Sequence, residues 1–456
     1  MSQIRVGGTH MQGWRKSLAF TSLIAALGVL AFAATLASAH STTSKAGTLN
    51  IMGFGTGDDV AETRAAIAIK AVGGSVNRPS GSFNDQQFLA AVASGNSPDI
   101  VYLDRQKVGT YAAKGAFQPL TSCISSQKIN TKQYRIPALN EVTYKGKIYG
   151  IPEFYDVRTI LVDNNVLDMA GVKLSGLDTS NWPRLLATAK KLVKIDNGKV
   201  TRIGFDPKIP EFFPLWAKAN GVDILSKDGL HPHLNDPKAV AALAYAVSLI
   251  NAQGGWDKFK SFRDTWDFFG SNNEIAADQV GAFPMEQWYY NVLAGSSPKV
   301  KITALQFRNK KRQPINYETG SAWAIPKGSK NPAAACTWMK NMTSVSTWLA
   351  AAKNRAAIRK SKNQPYTGIS TGNALADQAI YKQTYTSINP FFDQAVKKVL
   401  DVQRFSFNVP ASPASAEFKQ AWNDAITRVL AGQQSPKAAL DQAQKESVAA
   451  IKAATK

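Results

Sequence analysis

The alternation of strand and helix patterns is the feature that most restricts how this chain can fold. Short apolar, β-branched runs at 48–52, 98–104, 148–151 and 159–162 predict buried strands, and 182–193 has the apolar stripe of a helix. Repeated strand–helix units of this kind predict an α/β fold of parallel sheets covered by helices on both faces. Because 456 residues exceed what a single hydrophobic core usually serves, we expect two lobes.

Two further segments have clear helical signals. Asn84 is a predicted N-cap, and Gly95 ends the helix that it begins. From about residue 335 the pattern is mostly helical, and prolines divide it into separate helices. The segment 418–430 places one apolar stripe along a helix, made of Phe418, Trp422, Ile426 and Val429. A helical C-terminal part is therefore expected to cover one lobe.

The N-terminus has the features of an export signal. A basic pair precedes the apolar run 18–34, and a small-x-small motif follows at 37–39. We predict that residues 1–39 form a signal peptide that is cleaved before His40, with an uncleaved membrane anchor as the alternative. The mature chain is then expected to be periplasmic or otherwise extracytoplasmic.

The chain has two cysteines, Cys123 and Cys336. Neither follows the apolar run closely enough to accept a lipid at the cleavage site, so no lipoprotein anchor is expected. Cys336 lies among small apolar residues, which favours two separate buried thiols. A disulfide is the alternative, and export would permit it.

The net charge of the chain is +22, and removal of residues 1–39 lowers it to +19. An excess of this size suits nucleic acid or an anionic surface. The export signal argues against nucleic acid, and the basic residues are dispersed instead of forming an arm. We expect a solvated basic surface, with attraction to anionic membrane lipid or acidic glycans as the alternative.

Sequence motifs for enzymes and cofactors are missing. The glycine-rich turn 53–58 follows a predicted strand, where open α/β sheets bind ligands, but it has neither the nucleotide-loop nor the dinucleotide spacing. His231 and His233 flank Pro232 in a predicted loop, so no helical metal pair or triad base is apparent. We therefore expect no cofactor, no metal and no catalytic residue.

Three stretches carry a resemblance to a known family. They are FLAAVASGNSPDIVY at 88–102, YKGKIYGIP at 144–152 and GSAWAIPKGSKNP at 320–332. In this order, behind an export signal, they resemble the family-1 extracellular solute-binding proteins, the maltose-binding-protein-like group of ABC importers. The resemblance implies a type II periplasmic-binding-protein fold with a hinge between its lobes.

The same resemblance implies the lobe boundaries and the function. Lobe one is expected at 46–156 and 306–342, and lobe two at 157–305 and 343–456. The implied role is the monomeric substrate-binding component of an importer, which captures a carbohydrate by hinge closure and delivers it to the permease. Two alternatives are a sensory sugar receptor and a secreted glycoside hydrolase, for which several carboxylates are available.

A sugar receptor needs aromatic plates for C–H faces and planar polar groups for hydroxyls. The segment 280–288 resembles the family's short strand that ends in a sugar-stacking tryptophan, which assigns that role to Trp288. Arg105 and Arg158 are expected to pair with neighbouring acids, with recognition of an acidic sugar as the alternative. The predicted ligand contacts are Phe54, Thr56, Asp58, Phe83, Asp104, Arg105, Glu153, Tyr155, Asp156, Glu286, Trp288, Gly320, Ser321 and Trp323.

Overall fold

A computed structural model describes residues 47–55 and 57–456. The predicted signal peptide at 1–39, its cleavage site before His40 and the predicted contact Thr56 lie outside these residues. None of the helices within the described ranges combines the length and the apolar character needed to cross a membrane.

Fourteen strands lie in the described part of the chain. They are β1 (Leu49–Met52), β2 (Val76–Asn77), β3 (Ile100–Asp104), β4 (Thr143–Tyr144), β5 (Lys147–Ile148), β6 (Gly150–Pro152), β7 (Arg158–Asp163), β8 (Lys194–Asp196), β9 (Lys199–Phe205), β10 (Val280–Glu286), β11 (Ile302–Leu305), β12 (Asn316–Tyr317), β13 (Ser321–Ala324) and β14 (Ser406–Phe407).

Seventeen α-helices accompany these strands in the same residues. They are α1 (Asp59–Val72), α2 (Asp85–Ala93), α3 (Val108–Ala113), α4 (Thr121–Ser126), α5 (Ile136–Glu141), α6 (Asn164–Ala170), α7 (Trp182–Leu192), α8 (Phe213–Ala219), α9 (Pro237–Asn251), α10 (Trp256–Arg263), α11 (Trp288–Ser296), α12 (Pro332–Thr343), α13 (Val345–Ser361), α14 (Ala374–Thr384), α15 (Pro390–Val402), α16 (Ser415–Leu430) and α17 (Pro436–Thr455). Short 3₁₀ turns lie at Arg105–Lys107, Thr131–Gln133, Leu174–Leu177 and Gln403–Phe405.

Two five-stranded sheets organise these elements. The first has the order β2-β1-β3-β13-β6, and the second has the order β11-β7-β10-β9-β8. Helices α12 and α13 pack on α1 beside the first sheet, whereas α6, α7, α10 and α15 pack on the second. The α/β fold is therefore confirmed, with a separate apolar core beside each sheet.

The expectation of parallel sheets was wrong in part. Strand β1 is parallel to β2 and β3, but β13 is antiparallel to both β3 and β6. In the second sheet β7 is antiparallel to β10 and β11. Strands β7 and β13 each follow a segment that runs between the sheets, so they enter their sheets from the other lobe and not through a crossover helix. Strands β8 and β9 are also antiparallel, because they form a hairpin.

Two crossing segments, 153–157 and 318–320, join the sheets side by side. Asp156 and Thr319 exchange backbone hydrogen bonds of 2.8 and 3.1 Å. Gly320 makes their approach possible, because a Cβ at this residue would lie 2.2 Å from the carbonyl oxygen of Phe154. Only glycine fits at this crossing.

Local sequence signals account for many of the helices. The Asn84 side chain accepts a hydrogen bond from the backbone N–H of Gln87 and caps α2, as predicted. The predicted apolar stripe of 418–430 is buried on α16, and α16 packs on α17. Pro390 and Pro436 each occupy the first position of a helix, where the missing N–H costs nothing.

The expectation of two separate thiols was wrong, because Cys123 and Cys336 form a disulfide. Helices α4 and α12 pack on the same core of the first sheet and bring the two Cα atoms within 5.6 Å. The small apolar neighbours of Cys336 mark a buried helix face, as expected, but the partner cysteine lies on the same core.

Loss of this disulfide should lower stability. We expect the Cys123→Ser/Cys336→Ser double variant to lose about 2 to 4 kcal/mol of unfolding free energy, because the bridge constrains the unfolded chain. Thermal unfolding followed by circular dichroism measures the change. A reductant should lower the Tm of the native protein and leave that of the double variant unchanged; equal Tm values for the two oxidised proteins would contradict this role.

Candidate functional site

A cavity of about 1020 Å³ lies where the two sheets and the crossing segments meet. Its wall includes the ends of β3 and β10, the crossing residues Asp156 and Thr319, and side chains of α13 and α16. Parallel strands and the loops after them converge at such edges, which is where α/β proteins bind ligands. The chain therefore brings residues from distant parts of its sequence to one concave surface.

Aromatic rings form one side of the cavity. Trp288 is 37% exposed and Phe269 is 69% exposed, and their ring planes differ by 14° with centroids 6.2 Å apart. Phe268 supports the pair from behind by stacking on Tyr289 at 4.3 Å. Large exposed rings held by buried ones present fixed apolar faces to a ligand.

Arg158 organises the polar floor. Its guanidinium donates to the Glu286 carboxylate at 2.9 Å and to the Thr319 hydroxyl at 2.7 Å. It also donates to the backbone oxygens of Asp156 and Tyr317. One cation thus ties β10 to both crossing segments, and this pairing confirms the expected internal partner of Arg158.

Asp156 points to the amide of Gln287, which donates to it at 3.0 Å. Burial raises the pKa of Asp156, and the nearby Glu286 carboxylate raises it further against the opposing effects of Gln287 and Arg158. A carboxyl of this kind, with one protein donor, is suited to hydrogen bonding with ligand hydroxyls.

The opposite wall contains a second ion-pair cluster. Arg355 on α13 donates to Asp58 at 2.8 Å and to Asp59 at 3.0 Å. Burial alone would raise the pKa of Asp58, but Arg355 and the backbone N–H of Ala61 hold that pKa below its usual value. Asp58 also caps α1, so the glycine-rich turn before it ends in a fixed carboxylate.

Further charged groups line the cavity, among them Glu211, which pairs with Arg263. Lys419 on α16 lies 3.5 Å from Asp104 at the end of β3. Arg359 donates at 2.9 and 3.0 Å to the neutral side chains of Gln364 and Asn291. Burial and the charge of Arg355 lower the pKa of Arg359.

The structure brings half of the predicted contacts to this cavity. Those that line it are Asp58, Asp104, Asp156, Glu286, Trp288, Gly320 and Ser321. Those in the described part of the chain that do not line it are Phe54, Phe83, Arg105, Glu153, Tyr155 and Trp323. The second group belongs to the packing beneath the cavity.

Aromatic residues that are buried or half-buried account for most of this second group. Phe54 and Trp323 pack on each other at 4.9 Å in the core of the first sheet. Phe83 packs against Phe88 at 5.2 Å in an adjacent cluster. Tyr155 is buried between other core groups.

Two charged residues of the second group are fully buried in ion pairs. Glu153 bonds to Arg64 at 2.8 Å, and burial raises the pKa of Glu153 against the opposing charge of Arg64. Arg105 donates to Glu141 at 2.7 Å and also bonds to Glu318 and the backbone oxygen of Phe154. The expected internal pairing of Arg105 is therefore confirmed, and it lies under the crossing segments.

Several lining residues were absent from the sequence prediction. They are chiefly Tyr102, Gln106, Phe212, Phe269, Thr319, Arg355, Arg359, Lys419 and Trp422. Arg355 and Arg359 are one helical turn apart, a spacing that places both on one face of α13, but that pattern alone does not show what the face contacts. Within the described residues, no cluster of histidine, cysteine and acidic side chains is arranged to hold a metal ion.

Comparisons with known proteins agree with this architecture. The profile of the bacterial extracellular solute-binding protein family matches residues 63–367. No curated protein matches the chain significantly.

Solved structures share the fold at low sequence identity. A protein named CpMnBP1 with mannotriose bound is 22% identical, with a TM-score of 0.70 over 88% of this chain and 99% of that one. An ABC substrate-binding protein of Listeria monocytogenes in complex with cycloalternan is 20% identical, with a TM-score of 0.71 over 88% and 97%. The maltose/maltodextrin-binding domain of Bdellovibrio bacteriovorus bound to maltotriose is 19% identical, with a TM-score of 0.67 over 89% and 100%. The chain therefore has the two-lobed fold of these proteins.

Removal of the Arg105 charge should strongly destabilise the fold. We expect Arg105→Met to lose about 3 to 5 kcal/mol, because Glu141 and Glu318 would remain buried without their cation. Urea unfolding followed by tryptophan fluorescence measures the loss. As a control, Lys114→Met removes an exposed pair with Glu417 and should cost less than about 1 kcal/mol. Equal effects of the two substitutions would contradict the role of Arg105.

Proposed function

Because the chain belongs to the bacterial extracellular solute-binding protein family, we propose that it is the substrate-binding component of an ABC importer for a sugar or oligosaccharide. The observation that supports this most is the pairing of exposed rings with fixed polar groups in one cavity. Trp288 and Phe269 offer apolar faces, and Asp156, Glu286 and Arg158 offer planar hydrogen-bonding groups beside them. A sugar has C–H faces and hydroxyl edges that match this combination.

The charge balance of the cavity favours a neutral sugar over an acidic one. Arg158 is paired with Glu286, and Arg355 is paired with two aspartates. An incoming carboxylate would have to displace these partners. Arg359 has only neutral partners, but the described lining holds six carboxylates against four cations, which disfavours an anion. The related structures with mannotriose, cycloalternan and maltotriose also contain neutral saccharides.

Ligand capture would use the crossing segments as a hinge. The cavity takes its lining from both sheets, so a ligand that touches both prefers the closed arrangement and shifts the equilibrium toward it. The lobes would divide near 156/157, as predicted, but at the second crossing segment 318–320 instead of at 305/306, since Phe307, Ile315 and Tyr317 pack in the core of the second sheet. Helices α13 and α14 would join the first lobe, since α13 packs on α1 and Arg355 bonds to Asp59. The closed form is what a permease would recognise.

We propose that the protein binds the sugar without hydrolysing it. Of the carboxylates in the described lining, Asp156 alone has no ion-pair partner, whereas Asp58, Asp104 and Glu286 each form an ion pair in the cavity wall. A glycosidase needs one carboxyl free to give a proton and a second free to attack or to activate water. Paired carboxylates serve better as fixed acceptors for hydroxyls.

Thermal unfolding with a panel of saccharides tests the proposal. Maltotriose, mannotriose, cycloalternan and a trimer of galacturonic acid would each be added to the purified protein. A neutral oligosaccharide that binds the native state should raise the Tm, and the acidic trimer should not. Mass spectrometry of the recovered ligand should show its original length. Shortened products would indicate a glycosidase, and the absence of a shift with any saccharide would contradict sugar binding.

Trp288 is expected to contribute a stacking face. Trp288→Ala should weaken binding of the saccharide that gives the largest shift by about 1 to 3 kcal/mol, with little effect on folding, since the ring is partly exposed. Isothermal titration calorimetry measures the affinity. Tyr144→Ala, outside this cavity, is the control and should bind as tightly as the native protein. Unchanged affinity in Trp288→Ala would rule out its stacking role.

A further inference from the structure

A strongly basic turn extends from the second sheet. Backbone pairing of Arg308 with Pro314 closes a hairpin just after β11, and the turn between them carries consecutive basic side chains. We define the basic turn as Arg308, Lys310, Lys311 and Arg312. Lys310, Lys311 and Arg312 are exposed.

The basic turn is held in one conformation by its own hydrogen bonds. The Asn309 side chain accepts from the backbone N–H groups of Lys311 and Gln313 at 3.0 and 2.9 Å. Arg308 donates to the backbone oxygen of Arg312 at 2.8 Å. The Thr179 hydroxyl anchors the base by bonding to both backbone groups of Arg308. The positive charges are therefore displayed from a preformed support.

The basic turn differs from other parts of the surface because it concentrates three exposed cations on consecutive residues, Lys310, Lys311 and Arg312. Lys218 pairs with Asp223 at 2.7 Å, and Lys437 pairs with Asp441 at 2.6 Å. Within residues 47–55 and 57–456, no carboxylate lies within ion-pair distance of any member of the basic turn. A concentrated, uncompensated positive charge attracts an anionic partner from several ångströms away.

A surface pocket of about 640 Å³ adjoins the turn. Lys310 and Arg312 form one side, and Trp182 at the start of α7 forms another. The Lys310 ammonium lies 3.8 Å from the centre of the Trp182 ring, and Tyr245 stacks on that ring at 4.1 Å. None of the described residues that line the pocket is acidic. Cations next to a half-buried tryptophan suit the boundary between lipid headgroups and water.

We propose that the basic turn and this pocket bind the surface of a membrane that contains anionic phospholipid. The phosphate groups of the lipid would lie against Lys310, Lys311 and Arg312, with Trp182 at headgroup level. The chain belongs to an extracellular family, so the outward-facing surface of a membrane is accessible to it. Docking there would hold the protein near a membrane-embedded partner.

A membrane fits these observations better than a folded acidic protein. The cations project from a short turn, and the apolar side chains of the adjoining pocket are few, namely Trp182, Pro183, Leu186 and Tyr245. A protein partner needs shape complementarity and a buried apolar centre, whereas lipid headgroups diffuse laterally and match any arrangement of positive charge.

Vesicle co-sedimentation tests the proposal with the full chain. The protein would be mixed with phosphatidylcholine vesicles, with or without phosphatidylglycerol, at about 0.1 M salt. We expect binding only to the anionic vesicles. The variant Lys310→Gln/Lys311→Gln/Arg312→Gln should bind them at least about tenfold more weakly, since each basic side chain at such a surface contributes severalfold. Arg308 is kept because it supports the turn.

The control variant Lys70→Gln/Lys132→Gln/Lys340→Gln removes the same charge from exposed lysines beside the first sheet. It should bind within about twofold of the native protein. An equal loss in both variants would mean that diffuse net charge is responsible and would overturn the proposal. Failure of the native protein to bind anionic vesicles would also overturn the proposal. Loss of vesicle binding in the presence of soluble glycerol phosphate would overturn it too, because it would indicate a site for free phosphate. Circular dichroism should show that both variants are folded.

Discussion

The buried guanidinium of Arg105 is the interaction on which the arrangement of the two sheets depends. It bonds to Glu141 on α5, to Glu318 on one crossing segment and to the backbone oxygen of Phe154 on the other. Buried charges are costly unless each has its partner, so these three segments have one favourable arrangement. The polar floor formed by Arg158 and Glu286 lies directly beyond the same crossing segments. Its geometry therefore depends on the position of these segments.

The sequence patterns that predicted the fold well are local ones. A cap such as Asn84 and a stripe such as that of α16 act over a few residues, so each can be recognised without knowing the rest of the chain. The antiparallel entry of β13 and the disulfide between Cys123 and Cys336 were not predictable in this way. Both depend on contacts between residues about two hundred positions apart, for which the sequence holds no local signal.

The same difference between local and long-range signals explains which site residues could be predicted. The ligand contacts were predicted from the chemical type of each side chain. Whether a side chain reaches the cavity depends instead on its depth in the packing below the cavity. Ser321 and Trp323 share one face of β13, yet Trp323 lies further from the crossing segment and is covered by Phe54. Arg355 was missed because its partner Asp58 is 297 positions away, and arginines on a helix face are usually solvated.

The place of β13 within the first sheet affects how the protein is made. This strand lies between β3 and β6, yet it follows every strand of the second sheet in the chain. As the polypeptide leaves the ribosome, the lobe whose synthesis begins first therefore cannot complete its core until β13 has been synthesised. A nascent chain with this connectivity therefore forms the complete core of its first lobe only late in synthesis.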